Sequence, residues 1–307
     1  MSQWLNKPVK EVIVYRSLSN NIYANLALET WLLDNVSYLG RRVLLLWRNE
    51  PSVVVGRFQN PWMEADFEKL RSTGTKMARR RSGGGAVYHD MGNLNCTFFA
   101  HKLDYNRHRN LQLVADAVNN NWGVRLYVGQ RNDILCKGKK VSGSAARVGK
   151  DHTYHHFTLL IDTDKVMLDT ILQPHPMFSF ASTTATQSIP SETLNIKTLL
   201  KENKMQYDDI CKAIAAQFYE LHDLKDKRHH QMVDIEPFSP TGSPSPLFPG
   251  ISELEKEFRS VQWIWDKTPK FNVTIGEETM LVENGIITKS SDHSIVGINF
   301  REYITKQ

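Results

Sequence analysis

Residues 79–90 of this 307-residue chain, RRRSGGGAVYHD, constrain its fold more than any other stretch. Three adjacent arginines run into three adjacent glycines, and glycine loses more backbone entropy on folding than any other residue. Backbone N–H groups freed from side chains can converge on an anion, and neighbouring cations strengthen the attraction. We therefore expect a loop that holds an anionic ligand. Taken alone, the glycines also suit a flexible turn, and the arginines also suit a solvated face.

Several common functional signatures are missing from the sequence. It contains neither the GxxxxGK[ST] phosphate loop nor the GxGxxG dinucleotide fingerprint. It also lacks HExxH, a Cys/His cluster and the GxSxG nucleophile turn. Cys96, Cys136 and Cys211 lie far apart, which argues against a disulfide framework or structural zinc and favours a reducing compartment. Cys136 falls in a predicted strand, where we expect a small buried residue.

Composition and charge place the chain among mildly basic globular proteins. The sequence has 38 Lys and Arg against 33 Asp and Glu, a formal charge of +5, with 41% hydrophobic residues. This balance suits an anionic small ligand or an acidic protein partner as well as nucleic acid. No apolar run approaches the roughly 20 residues of a membrane span. The first residues lack a secretory signal and a mitochondrial presequence, so we expect a cytosolic chain or one whose presequence is left off.

Hydrophobic periodicity predicts a mixture of helices and strands. The expected helices are residues 24–35, 108–122, 194–202, 207–222 and 251–259, and the expected strands are 43–47, 52–56, 94–100, 124–128 and 154–162. Lys137-Gly138 and Asn284-Gly285 predict hairpin turns. Because strands and helices do not alternate in a strict βαβ rhythm, the pattern favours an α+β fold. Five prolines make residues 237–250 an irregular loop or a domain border.

A second group of chemically capable residues follows at 131–148, RNDILCKGKKVSGSAARV. Lys139 and Lys140 precede the small residues 142–145, which allow a ligand to approach the backbone closely. A lysine in this setting can hold a phosphate or polarise a carbonyl oxygen, although most surface lysines are only solvated. Further along, His155 and His156 are adjacent on a predicted strand. Their side chains point to opposite faces and cannot both bind one metal ion.

Four stretches, in this order and at these spacings, resemble the lipoate–protein ligase and lipoyltransferase family. They are residues 47–66, 78–99, 131–148 and 154–160. The resemblance is good over residues 10–222 and weak over 250–275, and residues 79–93 are especially similar to the animal mitochondrial lipoyltransferase branch. It implies an α+β, biotin/lipoyl-protein-ligase-type catalytic domain, with mixed sheets flanked by helices and a short C-terminal α/β accessory part. The implied division is a catalytic domain at 1–236, a Pro-rich linker or loop at 237–250 and a shortened accessory part at 251–307.

The resemblance also implies a bound lipoyl-AMP and assigns residues to it. Lys140 matches the catalytic lysine that contacts both the phosphate and the acyl carbonyl. The other expected lipoyl-AMP-binding residues are Arg80, Ser82, Gly83, Gly84, Gly85, Ala86, Val87, Tyr88, His89, Arg131, Asn132, Asp133, Ser142, Gly143, Ala145, His156 and Thr158. No metal ion is expected on protein side chains alone. ATP and Mg²⁺ are implied only if the chain carries out the complete ligase reaction.

The expected function is therefore transfer of a lipoyl group to a lysine ε-amine. The implied acceptors are lipoyl domains of 2-oxo-acid dehydrogenase E2 subunits and the glycine-cleavage H protein, with the enzyme acting as a mitochondrial monomer. Because few residues follow residue 268, transfer from an activated or protein-bound donor is favoured over complete ATP-dependent ligation. A biotin–protein ligase, a non-catalytic lipoyl-AMP carrier and a nucleic-acid-binding protein using Arg79–Arg81 are less favoured functions. The small basic excess and the lack of a recognition motif weigh against nucleic-acid binding.

Overall fold

The computed structural model describes residues 9–178, 182–200, 204–222 and 231–306. Its helices are α1 (Ile22–Asn35), α2 (Phe67–Thr73), α3 (Arg107–Trp122), α4 (Lys165–Ile171), α5 (Tyr207–His222), α6 (Ile251–Arg259) and α7 (Phe300–Ile304). Its strands are β1 (Glu11–Ser17), β2 (Arg41–Trp47), β3 (Ser52–Val55), β4 (Lys76–Arg79), β5 (Val87–His89), β6 (Asn93–His101), β7 (Tyr127–Val128), β8 (Ile134–Cys136), β9 (Lys139–Lys140), β10 (Ser144–Val148), β11 (His152–Leu160), β12 (Ser182–Thr183), β13 (Met232–Ile235), β14 (Phe271–Ile275), β15 (Glu278–Glu283) and β16 (Ile286–Ser290).

These elements form two compact units, each built from separated pieces of the chain. The first unit comprises residues 1–49, 90–163 and 190–252, and the second comprises residues 50–89, 164–189 and 253–307. The C-terminal residues thus belong to the same unit as the glycine loop. The functional division into a catalytic domain, a linker and an accessory part stays a prediction.

A six-stranded mixed sheet forms the centre of the first unit, in the order β10-β11-β6-β2-β1-β13. Strand β6 shows how the sequence positions its two faces. Leu94, Cys96 and Phe98 enter the hydrophobic core together with side chains of α3 and α5. Because side chains alternate along a strand, Asn93 and Asn95 lie on the opposite face. The sheet therefore has one apolar face and one face that carries the buried polar side chains of Asn93 and Asn95.

Helices α1 and α3 begin at capping residues, and α3 also ends at one. Asn21 caps α1 through its side chain, which accepts the N–H of Tyr23. Asn106 caps α3 in the same way, and α3 ends at Gly123 in the left-handed conformation, with φ of 64°. In α3 the apolar residues recur at helical spacing, and this stripe packs on the sheet.

A small three-stranded sheet, β7-β8-β9, also belongs to the first unit. Strands β8 and β9 are joined by Lys137 and Gly138, with φ of 50° and 77°. Two consecutive positive φ angles match the twist of a tight hairpin, so the turn predicted at these residues is confirmed. The hairpin places Lys139 and Lys140 on β9, directly opposite Cys136 and Leu135.

The second unit contains two further sheets. One has the order β4-β3-β5 and the other the order β12-β14-β15-β16. Asn284 and Gly285, with φ of 50° and 78°, form the predicted turn before β16. An aromatic core surrounds Trp62, whose ring lies 4.3 Å from that of Trp265 and 5.4 Å from that of Phe300. Burial of these large rings stabilises the unit.

Most predicted elements are present, and the α+β class is confirmed. Two elements are shorter in the structure than the sequence predicts. Residues 124–128 contain only the two-residue strand β7, and residues 194–202 contain a single 3₁₀ turn at Ile196–Leu199, with 201 and 202 outside the described residues. Residues 237–250 are irregular, as their prolines predict. Within the described ranges, no helix combines the length and apolarity needed to cross a membrane.

Candidate functional site

The glycine loop lies in the second unit and is organised by Arg80. The Arg80 side chain is 4% exposed, and it donates hydrogen bonds to the carbonyl oxygens of Gly83 and Gly85, both at 2.7 Å. It also reaches the hydroxyl of Ser82 at 2.9 Å and the carbonyl of Val54 at 2.9 Å. A planar guanidinium with five N–H donors can hold several acceptors at once. Arg80 thus turns loop carbonyls inward, toward its own charge.

A close backbone contact explains part of the glycine requirement. A Cβ added at Gly56 would lie 2.2 Å from the carbonyl oxygen of Gly84. Gly84 itself has φ of 87°, which L side chains rarely adopt. A side chain at Gly83, in contrast, would meet nothing within 4 Å. The three loop glycines are therefore not equivalent, and only some of them are required by packing.

The remaining predicted residues of this unit are Ala86 and the three residues of β5, immediately after the loop. Val87, Tyr88 and His89 pair with Val54, Val53 and Ser52 of β3. Tyr88 and His89 are buried, while Ala86 and Val87 are partly exposed. The loop is thus anchored to a sheet on both sides, through β4 before it and β5 after it.

The arginine run is not a solvated face. Arg79 is fully buried, and its guanidinium donates to the carbonyl oxygens of Ile264 and Gln59 at 2.7 and 2.8 Å. Burial lowers the pKa of Arg79 to about 10, which leaves it charged at neutral pH. Arg81 pairs with Glu257 at 2.6 Å. Since these guanidinium groups are used inside the unit, the run does not offer the exposed cations that a nucleic-acid surface needs.

Lys140 lies in the first unit, on β9. Its ammonium contacts a carboxylate oxygen of Asp133 at 2.8 Å, and the two side chains are 28% and 11% exposed. Its backbone N–H and C=O bond to Glu192 and Leu194 at 2.9 and 2.8 Å. The neighbouring Lys139 is more exposed and pairs with Glu192 at 3.1 Å. Lys140 is therefore a held, partly buried cation, whereas Lys139 is an ordinary surface lysine.

Small residues after the hairpin bring its backbone onto β11. The hydroxyl of Ser142 accepts the N–H of Ile134 at 2.7 Å, and that of Thr158 accepts the N–H of Gly143 at 2.8 Å. Ala145 lies opposite His156 in the pairing of β10 with β11. Of the expected residues before Lys140, Arg131 is exposed and Asn132 has φ of 57° in the turn before β8. The structure thus groups most of the predicted residues of the first unit around β8–β11.

The two adjacent histidines face opposite ways, as predicted. His156 Nδ1 lies 2.8 Å from the carboxylate of Glu29, which also accepts the hydroxyl of Thr97 at 2.8 Å. Trp47 donates its indole N–H to the same hydroxyl at 2.9 Å. On the other face, His155 Nε2 lies 2.8 Å from Ser144 Oγ. Burial, with the charges of Arg107 and His156, lowers the pKa of His155 to about 3.

Several buried polar residues near these positions were not predicted from the sequence. Glu29 is 1% exposed, Asn93 is 0% exposed and Asn95 is 3% exposed. Asn95 lies opposite Thr158 and shares its face of the sheet. Among the described residues, Asn93 Oδ1 and Asn95 Nδ2 have no hydrogen-bond partner. A carboxylate within the apolar stretch 24–35 and alternating asparagines within a buried strand were the signals that could have found them.

No group of three or more His, Cys, Asp or Glu side chains placed to bind a metal ion occurs within the described ranges. The expectation that side chains alone hold no metal stays a prediction. The three cysteines are free and buried. Cys136, at 3% exposure, is the small buried strand residue that the sequence predicts.

Comparison with known proteins adds independent information. Residues 21–219 match the family described as "Lipoyl protein ligase A/B catalytic domain", and this range includes the glycine loop and the β8–β11 region. The chain is 40% identical to the human "Lipoyl amidotransferase LIPT1, mitochondrial", over 87% of this chain and 69% of that protein. It is 33% identical to "Lipoate-protein ligase A" of Bdellovibrio bacteriovorus, over 88% of this chain and 76% of that protein.

Among solved structures, P. falciparum LipL1 in complex with lipoate superimposes with a TM-score of 0.69. The two are 26% identical, and the alignment covers 92% of this chain and 84% of LipL1. The fold of the chain is therefore that of a lipoate-binding protein of known structure.

Proposed function

Because the chain belongs to the lipoyl protein ligase A/B family, we propose that it is a lipoyl amidotransferase. It transfers the lipoyl group from lipoyl-AMP, or from another activated or protein-bound donor, to a lysine ε-amine. The identity of 40% with a human lipoyl amidotransferase across 87% of the chain carries this proposal. The held cation at Lys140 and the glycine loop supply chemistry that the reaction needs.

The reaction exchanges a mixed anhydride for an amide. The nitrogen of the acceptor lysine attacks the acyl carbon of lipoyl-AMP, a C–N bond forms, and the bond from that carbon to the phosphate oxygen breaks. AMP leaves with the electron pair, and the attacking amine loses a proton. Negative charge develops on the carbonyl oxygen and on the departing phosphate. The chain therefore has to supply positive charge and N–H donors, and it does not have to supply a nucleophile.

We assign the positive charge to Lys140. Its ammonium is held by Asp133 at 2.8 Å and is only 28% exposed, so it is oriented before a ligand arrives. Preorganised donors stabilise a transition state without having to reorganise during the reaction. We propose that further residues of the same unit bind lipoyl-AMP, namely Arg131, Asn132, Asp133, Ser142, Gly143, Ala145, His156 and Thr158.

We assign the anion-binding backbone to residues 82–89. Arg80 binds the carbonyl oxygens of Gly83 and Gly85 and so orients the loop backbone. We propose that the N–H groups of Gly83, Gly84 and Gly85 donate to the ligand. The direct action of Arg80 in this structure is on the loop, so we propose that it contributes to adenylate binding by shaping that backbone and by its charge. Ser82, bound to Arg80 at 2.9 Å, shares this role.

The test is Lys140→Ala, with Lys139→Ala as the matched control. Loss of one preorganised donor typically lowers the rate by about 10²–10³. We therefore expect Lys140→Ala to transfer lipoyl from preformed lipoyl-AMP at about 10²–10³ lower rate, and Lys139→Ala to keep the normal rate. Mass spectrometry of an apo lipoyl domain measures the transfer, and circular dichroism checks folding, because Asp133 loses its partner. Near-normal transfer by a folded Lys140→Ala protein would refute the assignment.

A complete ligase is the second candidate, because the chain is also 33% identical to a lipoate-protein ligase. That activity would use lipoate, ATP and Mg²⁺ to form lipoyl-AMP before transfer. Incubation of the protein with an apo lipoyl domain and either lipoyl-AMP or lipoate plus ATP separates the two functions. We expect modification of the lipoyl domain with lipoyl-AMP and not with lipoate plus ATP. Equal modification from lipoate and ATP would establish the ligase.

The proposed acceptors are the lipoyl domains of 2-oxo-acid dehydrogenase E2 subunits and the glycine-cleavage H protein, and the proposed location is the mitochondrion. The human relative carries "mitochondrial" in its name. A formal charge of +5 is compatible with an acidic acceptor surface. We also propose that the chain acts as a monomer, which the mass of the purified protein in solution will test.

A further inference from the structure

The peptide group that joins Gly85 to Ala86 is held at both of its polar ends. Its carbonyl oxygen, on Gly85, accepts a hydrogen bond from Arg80 Nη2 at 2.7 Å. Its N–H, on Ala86, donates to Ser188 Oγ at 2.8 Å. Because a peptide group is planar, fixing its C=O and its N–H also fixes the rotation of the plane. The direction of this peptide therefore depends on two side chains, Arg80 and Ser188.

Ser188 is in turn held by two buried side chains of the same unit. Its backbone N–H donates to Glu64 Oε1 at 3.2 Å, and its hydroxyl receives Gln59 Nε2 at 3.1 Å. Gln59 is anchored through Oε1, which accepts the N–H of Gly56 at 2.8 Å. Gln59 and Glu64 are 0% and 5% exposed. A continuous set of hydrogen bonds therefore runs from the interior of the unit to the glycine loop.

Glu64 is the ionisable member of this set. Burial raises the pKa of its carboxyl, while hydrogen bonds from Ser188 and Gln59 and the charge of Arg80 oppose that shift. A carboxyl whose pKa is raised by folding contributes most stability when protonated, and this contribution is lost as pH rises through the folded pKa. The ionised form thus costs stability at neutral pH. It is, however, a stronger acceptor for the Ser188 N–H than a neutral group.

We propose that Glu64 is a positioning residue for lipoyl-AMP, acting through Ser188 on the Gly85–Ala86 peptide. The inference rests on the proposed function, which assigns the loop that contains this peptide to lipoyl-AMP. Protonation of Glu64 weakens its bond to Ser188 and loosens the peptide. Affinity for lipoyl-AMP therefore falls when acidic pH protonates Glu64.

The experiment compares Glu64→Gln with Glu68→Gln. Glu68 is a matched control in the same unit, with a side chain that is 69% exposed beside His175. The glutamine Oε1 still accepts the Ser188 N–H, but a neutral acceptor is weaker than an ionised one, which corresponds to a change of about 3- to 10-fold. We expect Glu64→Gln to raise the KM for lipoyl-AMP, and the Kd of a non-hydrolysable lipoyl-AMP analogue, by about that factor. Its kcat should change less than about twofold. Glu68→Gln should match the wild-type protein.

Two further readouts distinguish positioning from a purely structural role. Glu64→Gln should unfold at the same temperature as the wild-type protein or higher, and its KM should no longer rise at acidic pH. A lowered unfolding temperature, with KM still rising at acidic pH as in the wild type, would overturn the proposal.

Ser188→Ala tests the same connection without changing charge. We expect a similar increase in Kd, and we expect the double variant Glu64→Gln/Ser188→Ala to be no weaker than the weaker single variant, because both act on one peptide. Wild-type affinity in a folded Ser188→Ala protein would overturn the proposal, even where Glu64→Gln does not fold. Binding of the analogue by wild-type protein without lipoyl transfer would refute the proposed function instead, and the Kd series would still decide the role of Glu64.

Discussion

Replacing Gly85 by alanine tests whether the glycine loop is required for packing or only for flexibility. A Cβ at this position would lie 2.9 Å from Ser188 Oγ, 3.3 Å from its Cα and 3.4 Å from its Cβ. The first distance is too short, so Ser188 has to move. Its movement breaks the bonds from Ala86 N–H and Gln59 Nε2. Two neutral hydrogen bonds contribute about 1–3 kcal/mol together, which corresponds to about 5- to 150-fold weaker binding of lipoyl-AMP.

Substitutions at two other glycines give reference values for the loss of lipoyl-AMP affinity expected from Gly85→Ala. Gly83→Ala meets nothing within 4 Å, so its effect should stay within about 0.5 kcal/mol. Gly56→Ala would place Cβ 2.2 Å from a backbone oxygen of Gly84, which no side-chain rotation can relieve. We therefore expect the order Gly83→Ala, Gly85→Ala, Gly56→Ala for increasing loss of affinity. Calorimetry with a non-hydrolysable lipoyl-AMP analogue measures all three.

The effect of Gly85→Ala should depend on Ser188 alone, because all three nearest atoms to the added Cβ belong to that residue. In a Ser188→Gly background both the hydroxyl and the serine Cβ are removed. The further cost of Gly85→Ala should then fall to the small value expected for Gly83→Ala. Equal losses for Gly83→Ala and Gly85→Ala, or an unchanged Gly85→Ala cost without Ser188, would refute this account of the loop.

Two remaining predictions concern stability. Arg79→Met should lower the free energy of unfolding by about 3 kcal/mol or more and Tm by roughly 6–12 °C, because the carbonyls of Gln59 and Ile264 lose their buried donor; an unchanged Tm would contradict this. Folding lowers the pKa of His155 to about 3, so its contribution to stability is full above its unfolded pKa of about 6.5 and is lost as pH falls toward 3. His155→Gln should therefore reduce the loss of stability between these pH values by up to about 1.4 kcal/mol per pH unit. Denaturant unfolding at pH 4–7.5 measures the free energy of unfolding at each pH. If that free energy changes with pH in the variant as it does in the wild-type protein, the prediction is wrong.

Local sequence patterns predicted the elements that depend on local chemistry. The turns at residues 137–138 and 284–285 form as expected, because each needs residues that tolerate positive φ. Helices α3 and α5 follow an apolar stripe, and their existence was readable for the same reason. The expected helix at 194–202 is only a 3₁₀ turn. Helical periodicity over so few residues is a weak signal, because a helix this short is marginal on its own.

The sequence by itself determined that this chain needs a glycine loop beside cations, and that Lys140 follows a tight turn. Only the tertiary structure decided how those cations are used. Arg79 and Arg80 are buried, and their donors bind backbone carbonyls from residues distant in sequence, such as Ile264 and Val54. Likewise, the pairing of Glu29 with His156 joins residues 127 positions apart. Hydrogen-bond partners of buried charges depend on which chain segments pack together, and no local pattern encodes that choice.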